Sequence, residues 1–151
     1  MTITLQFQSD LTVSPAQLWQ WIASEQGIRR EMRPWLRMRF PAGLNSLEDA
    51  QVVPGKMLFR SWLLLFGVLP VGISRLTLIE WQPGTGFTEQ SPMTGVRFWQ
   101  HRRTIEPLSG GARLVDEIQV EPLLLPALTR RLTGAFFNHR HRQLRRAFAA
   151  L

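Results

Sequence analysis

The sequence has no cysteine and no tyrosine, and Lys56 is the single lysine among its 18 basic residues. Without cysteine, disulfide bonds and thiolate catalysis are excluded. A glycine-rich phosphate loop, a nucleophile elbow and an HExxH helix are also missing. His139 and His141 are two positions apart in a predicted helix, so they lie on different faces and do not form a metal site together. We therefore expect no metal and no other cofactor.

Long apolar segments are also lacking. The most apolar run, residues 62–73, has twelve residues interrupted by two glycines and a proline, which is too short to span a bilayer as a helix. It predicts a buried strand with a bend. The N-terminal MTITLQFQSD lacks the basic and apolar regions of a signal peptide, so a cytoplasmic location is expected. The net charge of +7 favours anionic surfaces without specifying a partner.

What the sequence does contain is the pattern of one α+β domain covering residues 1–151. Alternating apolar residues predict strands, and Ser14 followed by Pro15 predicts a helix start. The predicted elements are a strand at 3–13, helices at 15–24 and 25–33, strands at 35–40, 55–65, 74–81 and 87–91, and a hairpin at 96–120.

A long amphipathic helix is predicted after Pro122, with Pro126 in its first turn. Its predicted core face consists of Leu125, Leu128, Leu132, Ala135, Phe136, His139, Gln143 and Ala147, and Leu144, Phe148 and Leu151 widen that face towards the end. A curved antiparallel sheet of six to seven strands needs a cover for its apolar face, and this helix is long enough to provide one.

Two stretches resemble the START-like (SRPBCC) superfamily, which includes polyketide cyclase/dehydrase-like and birch-pollen-allergen-like proteins. VSPAQLWQWIASEQGIRR is similar to their opening after the first strand. FWQHRRTIEP, a glycine turn and ARLVDEIQVEP are similar to their last hairpin. The resemblance implies a helix-grip fold around an apolar cavity that holds lipids, sterols, hormones or polyketides. Some members catalyse cyclisation or hydrolysis, but the matched positions are structural and imply no catalytic residue.

The polar candidates for a site lie on the hairpin 96–120. A turn centred near residues 108–109 pairs His101 with Asp116, Arg103 with Leu114, and Trp99 with Ile118. Glu89 joins this face in one of two registers of the preceding strand. Polar groups on an apolar face are costly to bury unless they pair, so a cluster of these side chains is expected. The predicted apolar contacts to a ligand are Phe59, Trp62, Trp99 and Phe136.

Three interpretations of the polar cluster remain open. It is a structural salt-bridge network, an anchor for a ligand carboxylate or enolate, or the site of a cyclase/dehydratase-type enzyme. In the last case His101 is the general base and Asp116 orients it. Binding of a small apolar or amphipathic molecule is favoured over catalysis.

The last helix is rich in arginine, with six arginines and no acidic residue between Arg130 and Arg146. This pattern is typical of a solvated helix face, and it is also compatible with contact to anionic lipid headgroups or nucleic acid. No specific nucleic acid is expected as a partner, and contact with a membrane surface is the less favoured alternative. The oligomeric state is not determined by the sequence.

Overall fold

A computed structural model describes residues 2–151, with three α-helices and seven strands in that range. The strands are β1 (Ile3–Leu11), β2 (Leu36–Met38), β3 (Met57–Leu65), β4 (Leu69–Gln82), β5 (Gly86–Gln90), β6 (Val96–Leu108) and β7 (Gly111–Pro122). The helices are α1 (Pro15–Ala23), α2 (Glu25–Met32) and α3 (Pro126–Phe148).

The strands form one antiparallel sheet in the order β1-β7-β6-β5-β4-β3-β2. Helix α3 packs against β1, β7 and α2, at the side of the sheet where the chain begins and ends. The predicted fold, a curved antiparallel sheet around a long C-terminal helix with two short helices after the first strand, is confirmed. Among residues 2–151, no helix is both long and apolar enough to cross a bilayer.

Two serines start the short helices. The Ser14 hydroxyl accepts a hydrogen bond from the backbone N–H of Gln17 at 3.2 Å, and Pro15 occupies the first turn. Ser24 caps α2 in the same way, accepting from Gly27 N–H at 3.0 Å. Such caps satisfy backbone donors that a helix leaves free at its N-terminus. The predicted start of α1 at Pro15 is thus confirmed together with its cap.

The main apolar core lies at one end of the molecule, where α1 and the C-terminal half of α3 meet the sheet. Leu11, Leu18, Ile22, Leu114 and Leu144 are fully buried there. We call this the closed end. It fixes α1 and the last turns of α3 against β1 and β7.

The predicted core face of α3 is wrong for its first half. Leu125, Leu128 and Leu132 are 65%, 47% and 60% exposed. The buried residues of α3 are Phe137, His139, Arg140, His141 and Leu144. The prediction failed because it assumed that the apolar stripe faces the sheet, whereas most of the buried side chains of this helix are polar and have partners inside the protein.

The apolar run at residues 62–73 is not a buried strand. It forms the end of β3, a turn and the start of β4, and the side chains around this turn are exposed. Phe66 is 58% and Val68 79% exposed, and Leu69 and Val71 are half exposed. Helix α3 packs mainly against β1, α2 and β7 rather than against this hairpin, which leaves these apolar side chains exposed.

Two matched substitutions test which face of α3 supports the fold. Leu144→Ala should lower the free energy of unfolding by about 2–5 kcal/mol, because it removes a fully buried side chain. Leu132→Ala, the same change at an exposed position of the same helix, should change it by about 0.5 kcal/mol or less. Urea unfolding followed by circular dichroism measures both. Equal losses would contradict the burial described above.

Candidate functional site

The hairpin β6–β7 sets the register of the polar residues. Leu108 pairs with Gly111, so the turn lies at Ser109–Gly110, and Gly110 adopts a φ of 79° that favours glycine. The observed pairs are Arg103 with Asp116, His101 with Ile118, and Trp99 with Val120. The predicted pairing is therefore wrong by two residues. Because side chains alternate with a period of two, His101, Arg103 and Asp116 still share one face.

Asp116 lies at the centre of this face and is completely buried. Its Oδ1 accepts hydrogen bonds from Arg103 Nε at 2.7 Å and His101 Nε2 at 2.6 Å. Its Oδ2 accepts from Arg103 Nη2 at 2.9 Å and His141 Nε2 at 2.7 Å. Four donors from β6 and α3 thus converge on one carboxylate of β7.

Arg103 joins Asp116 to a second buried carboxylate, Glu31 of α2. Arg103 Nη1 and Nη2 donate to the two Glu31 oxygens at 3.0 and 2.7 Å. Arg140 of α3 donates to the same carboxylate from Nε at 3.2 Å. Trp21 of α1 adds its indole N–H at 2.9 Å. The guanidinium of Arg103 is therefore bidentate on both sides, a geometry that its planar fork allows.

Three further side chains extend the network at its edges. Ser9 of β1 lies 2.7 Å from His141 Nδ1 and accepts from Arg145 Nη1 at 2.9 Å. Glu89 of β5 pairs with His101 in the sheet, as one of the two predicted registers requires, and its Oε1 lies 3.8 Å from His101 Nδ1. Both ring nitrogens of His101 consequently face carboxylates.

The electrostatics of the network keep its carboxylates charged. Burial alone would raise the pKa of the Asp116 carboxyl, but Arg103 and His101 outweigh it and hold that pKa well below its usual range. Burial likewise opposes the charge on Glu31, and Arg103 and Arg140 nevertheless lower the pKa of its carboxyl. Burial would lower the pKa of Arg103, but the facing Asp116 and Glu31 raise it. The charges of Arg103 and the two carboxylates thus stabilise one another, while the like charges of Asp116 and Glu31 oppose each other.

Several members of this network are absent from the sequence-based candidates: Ser9, Glu31, Arg140 and His141. Glu31 is separated from Arg103 by 72 positions and from Arg140 by 109. Local periodicity carries no information about such distant pairs. The sequence held a weak signal for these residues, because polar residues stand beside buried apolar ones in α2 and α3. This signal did not identify which side chains they contact.

The predicted apolar contacts differ in their burial. Phe59 is buried and packs on Phe40 with ring centroids 5.1 Å apart. Trp99 is partly buried and stacks on Phe137 at 6.2 Å, and Phe136 is partly buried beside the same ring. Trp62 is 53% exposed, next to buried Ser61 on β3. Its assignment to the interior is wrong, because neighbouring side chains of a strand point to opposite faces.

Phe137 occupies the space beside the polar network. Its ring lies 5.0 Å from His101, 5.7 Å from Phe7 and 6.2 Å from Trp99, measured between ring centroids. The side chains that the sequence suggested as the polar floor of a pocket are thus enclosed by aromatic rings. Five clefts on the surface of residues 2–151 have none of His101, Arg103 or Asp116 in their lining.

The opposite end of the molecule is open and apolar. Trp35 lies between α3 and the β3–β4 turn, with its rings 6.4 Å from His139 and 5.9 Å from Phe66. The backbone of Arg33 is attached to α3 through its carbonyl oxygen, which accepts from His139 Nε2 at 2.5 Å. Leu132 is seven residues before His139 and so lies on the same face of α3. We call this region, with its exposed leucines, the open end.

Comparison with known proteins identifies the family. Residues 9–148 match the family model described as a domain of unknown function, DUF8410. The chain belongs to this family. No curated protein matches it.

Solved structures show the fold that this DUF8410 member shares with other proteins. Protein CV1439 from Chromobacterium violaceum superposes with a TM-score of 0.74 at 16% identity, covering 98% of this chain and 99% of the other. A START superfamily protein from Mycobacterium smegmatis gives 0.66 at 12% identity, with 96% of each chain covered. Ara h 8.0201 gives 0.58 at 12% identity, covering 95% and 99%. The expected START-like helix-grip fold is confirmed.

Removing the central carboxylate should destabilise the protein strongly. Asp116→Asn leaves the buried Arg103 facing a neutral amide, and breaking a buried ion pair in this way costs about 3–5 kcal/mol of unfolding free energy. Glu80→Gln removes one carboxylate of an exposed pair with Arg102, at 3.2 Å, and should cost about 1 kcal/mol or less. Urea denaturation distinguishes the two. A loss for Asp116→Asn no larger than that for Glu80→Gln would contradict the central role of Asp116.

The same carboxylates predict how stability depends on pH. Asp116 and Glu31 have lower pKa values in the folded chain than their ordinary 3.8 and 4.5. Their stabilisation is therefore complete above those ordinary values and is lost as the pH falls towards the folded values. The unfolding free energy of the wild type should decrease between about pH 5 and pH 3. Asp116→Asn should show a shallower decrease, and an unchanged slope would contradict this assignment.

Proposed function

We propose that the protein binds a small hydrophobic or amphipathic molecule at its open end, along the first half of α3. The observation that carries this proposal is the exposure of Leu125, at the N-cap of α3, and of Leu128 and Leu132 in its first turns, in a helix whose buried residues begin at Phe137. We call these three leucines with Phe136 the leucine stripe. Leu128, Leu132 and Phe136 follow one another at intervals of four residues, which makes them contiguous along the helix, and Leu125 precedes them at the N-cap.

An apolar stripe of this kind favours a partner that removes it from water. Single exposed leucines are ordinary on a protein surface, whereas contiguous apolar patches mark binding sites. The stripe lies on the face of α3 that also carries His139, which contacts Trp35. Trp35 is 48% exposed and Phe66 58% exposed, so further apolar surface lies close to the same helix face.

The fold supports this proposal in a general way. The resemblance to START-like proteins implies ligands such as lipids, sterols or polyketides, held between the sheet and the last helix. In this chain Phe137 and the buried network occupy the space near the closed end. The proposed site therefore lies further towards the open end than the sequence suggested, and residues 1–151 serve it as one domain.

The candidate residues take different roles in this proposal. Phe136 and Trp99 are proposed apolar contacts, because both adjoin Phe137 and remain partly exposed. The polar candidates are proposed to fix the helices against the sheet rather than to touch the ligand; they are Glu89, His101, Arg103 and Asp116. Phe59 is proposed to belong to the core around Phe40.

Neither alternative function is favoured by a specific observation. A general base needs a ring nitrogen that accepts a proton from the substrate, and both nitrogens of His101 face protein carboxylates. The arginine-rich helix has inward partners for two of its arginines, since Arg140 donates to Glu31 and Arg145 to Ser9. We therefore propose neither catalysis by His101 nor a nucleic-acid partner.

A neutral fluorescent probe tests the proposed site without contributions from charge. N-phenyl-1-naphthylamine should bind the wild type with enhanced fluorescence. Leu128→Glu should weaken its binding about tenfold or more, because a carboxylate then lies in the contact surface of an apolar ligand. Leu128 is 47% exposed, so the change should leave folding intact.

Met57→Glu is the matched control. Met57 is 51% exposed at the start of β3, away from α3, and receives the same new charge. Its affinity for the probe should equal that of the wild type. If Leu128→Glu binds the probe as well as Met57→Glu does, the leucine stripe is not the binding site.

A further inference from the structure

We propose that a second site, a cleft between the end of α2 and the β3–β4 turn, binds an oxyanion carried by an amphipathic molecule. The cleft has a volume of about 440 Å³. Its lining consists of Arg29, Arg33, Pro34, Leu36, Arg37, Phe66, Gly67 and Val68. We call it the arginine cleft. None of its residues belongs to the leucine stripe, so the inference does not depend on the function proposed above.

The charge of the arginine cleft is positive and only partly compensated. Its lining contains three arginines and no carboxylate. Arg29 forms an ion pair with Glu25 at 3.2 Å along the surface of α2. Within residues 2–151, neither Arg33 nor Arg37 has a carboxylate within ion-pairing distance. An anion entering the cleft would therefore meet two guanidinium groups whose charge is not neutralised by the protein.

Arg37 supplies an independent observation that points to a ligand. Its Nε atom is buried and, in the part of the chain that the structure describes, has no hydrogen-bond partner. A buried donor of this kind is unfavourable unless an acceptor reaches it. A phosphate or carboxylate oxygen is an acceptor that a guanidinium binds with charge assistance and in a planar geometry. An oxyanion bound by Arg37, with the side chain turned so that its Nε faces the cleft, would satisfy this donor.

The walls of the cleft favour an anion with an apolar part. Phe66 and Val68 are 58% and 79% exposed at its rim. The backbone N–H groups of Gly67 and Val68 already donate to Leu64 and Leu65, so the turn offers no further donors there. An inorganic anion would contact the arginines and leave Phe66 and Val68 in water. An alkyl chain attached to the anion would cover them.

Isothermal titration calorimetry at low ionic strength with three probes tests both parts of this proposal. Octyl phosphate should bind about tenfold or more tightly than inorganic phosphate, which lacks the chain, and than 1-octanol, which lacks the charge. Affinity for octyl phosphate that does not exceed that for 1-octanol would overturn the oxyanion site. Equal affinity for octyl and inorganic phosphate would overturn the amphipathic ligand.

Substitutions of the arginines test whether octyl phosphate binds in the arginine cleft. Arg33→Gln, at an exposed side chain, and Arg37→Gln should each weaken octyl phosphate binding about tenfold. Arg37→Lys should also weaken it, because lysine keeps the charge but lacks the Nε donor. Arg60→Gln removes the same charge from an exposed position of β3 outside the cleft and should have no effect. Equal losses for Arg33→Gln and Arg60→Gln would show unspecific attraction and overturn the proposal.

The same variants distinguish two sources of the anion and separate the two proposals. If the protein sediments with phosphatidylcholine vesicles that contain phosphatidic acid, and Arg33→Gln reduces this sedimentation, the oxyanion belongs to a bilayer lipid. Octyl phosphate binding without vesicle binding assigns it to a dissolved amphiphile. Arg33→Gln should bind N-phenyl-1-naphthylamine like the wild type. A negative result for octyl phosphate binding at the arginine cleft therefore does not contradict the leucine stripe, and a negative result for N-phenyl-1-naphthylamine does not contradict the arginine cleft.

Discussion

The bidentate contact of Arg103 with both Glu31 and Asp116 is the interaction on which the arrangement of the helices depends. Burying these ions is unfavourable unless every partner is in place, so the network tolerates few alternative geometries. Glu31 ties α2 to β6 and β7, and Arg140 and His141 bring α3 to the same two carboxylates. The position of the second half of α3 is thus set by directional polar contacts as well as by apolar packing.

This constraint explains why the last helix has an unexpected orientation. Because Arg140 and His141 must face Glu31 and Asp116, the helix is rotated so that Phe137 rather than Phe136 lies over the sheet. The exposure of the leucines has a different cause, since Leu132 shares a helix face with the buried His139. The leucines lie before Phe137, where the buried part of α3 begins, so it is their position along the helix that leaves the leucine stripe exposed.

The sequence predicted local features well and distant partnerships poorly. The cap at Ser14 and the order of strands and helices depend on neighbouring residues, and both are confirmed. The hairpin pairing was wrong by two because the turn position depends on the backbone at Gly110. The prediction that His101, Arg103 and Asp116 share one face was still correct. A shift of two residues keeps each side chain on the same face of the sheet. Their partner Glu31 was missed because no local pattern links residues 72 positions apart.

Acidic residues are distributed unevenly along the chain. No acidic residue occurs between Asp49 and Glu80, or after Glu121. These two segments include β3, the β3–β4 turn and α3. The segments together provide most of the exposed apolar side chains. The carboxylates in the network come from other segments and neutralise arginines inside the protein. The leucine stripe therefore comes from the second of these segments and the apolar rim of the arginine cleft, Phe66 and Val68, from the first, whereas the arginines of the cleft come from residues 29–37. The two proposed sites thus differ in chemistry: an apolar body complements the stripe, and an anionic group with an apolar part complements the cleft.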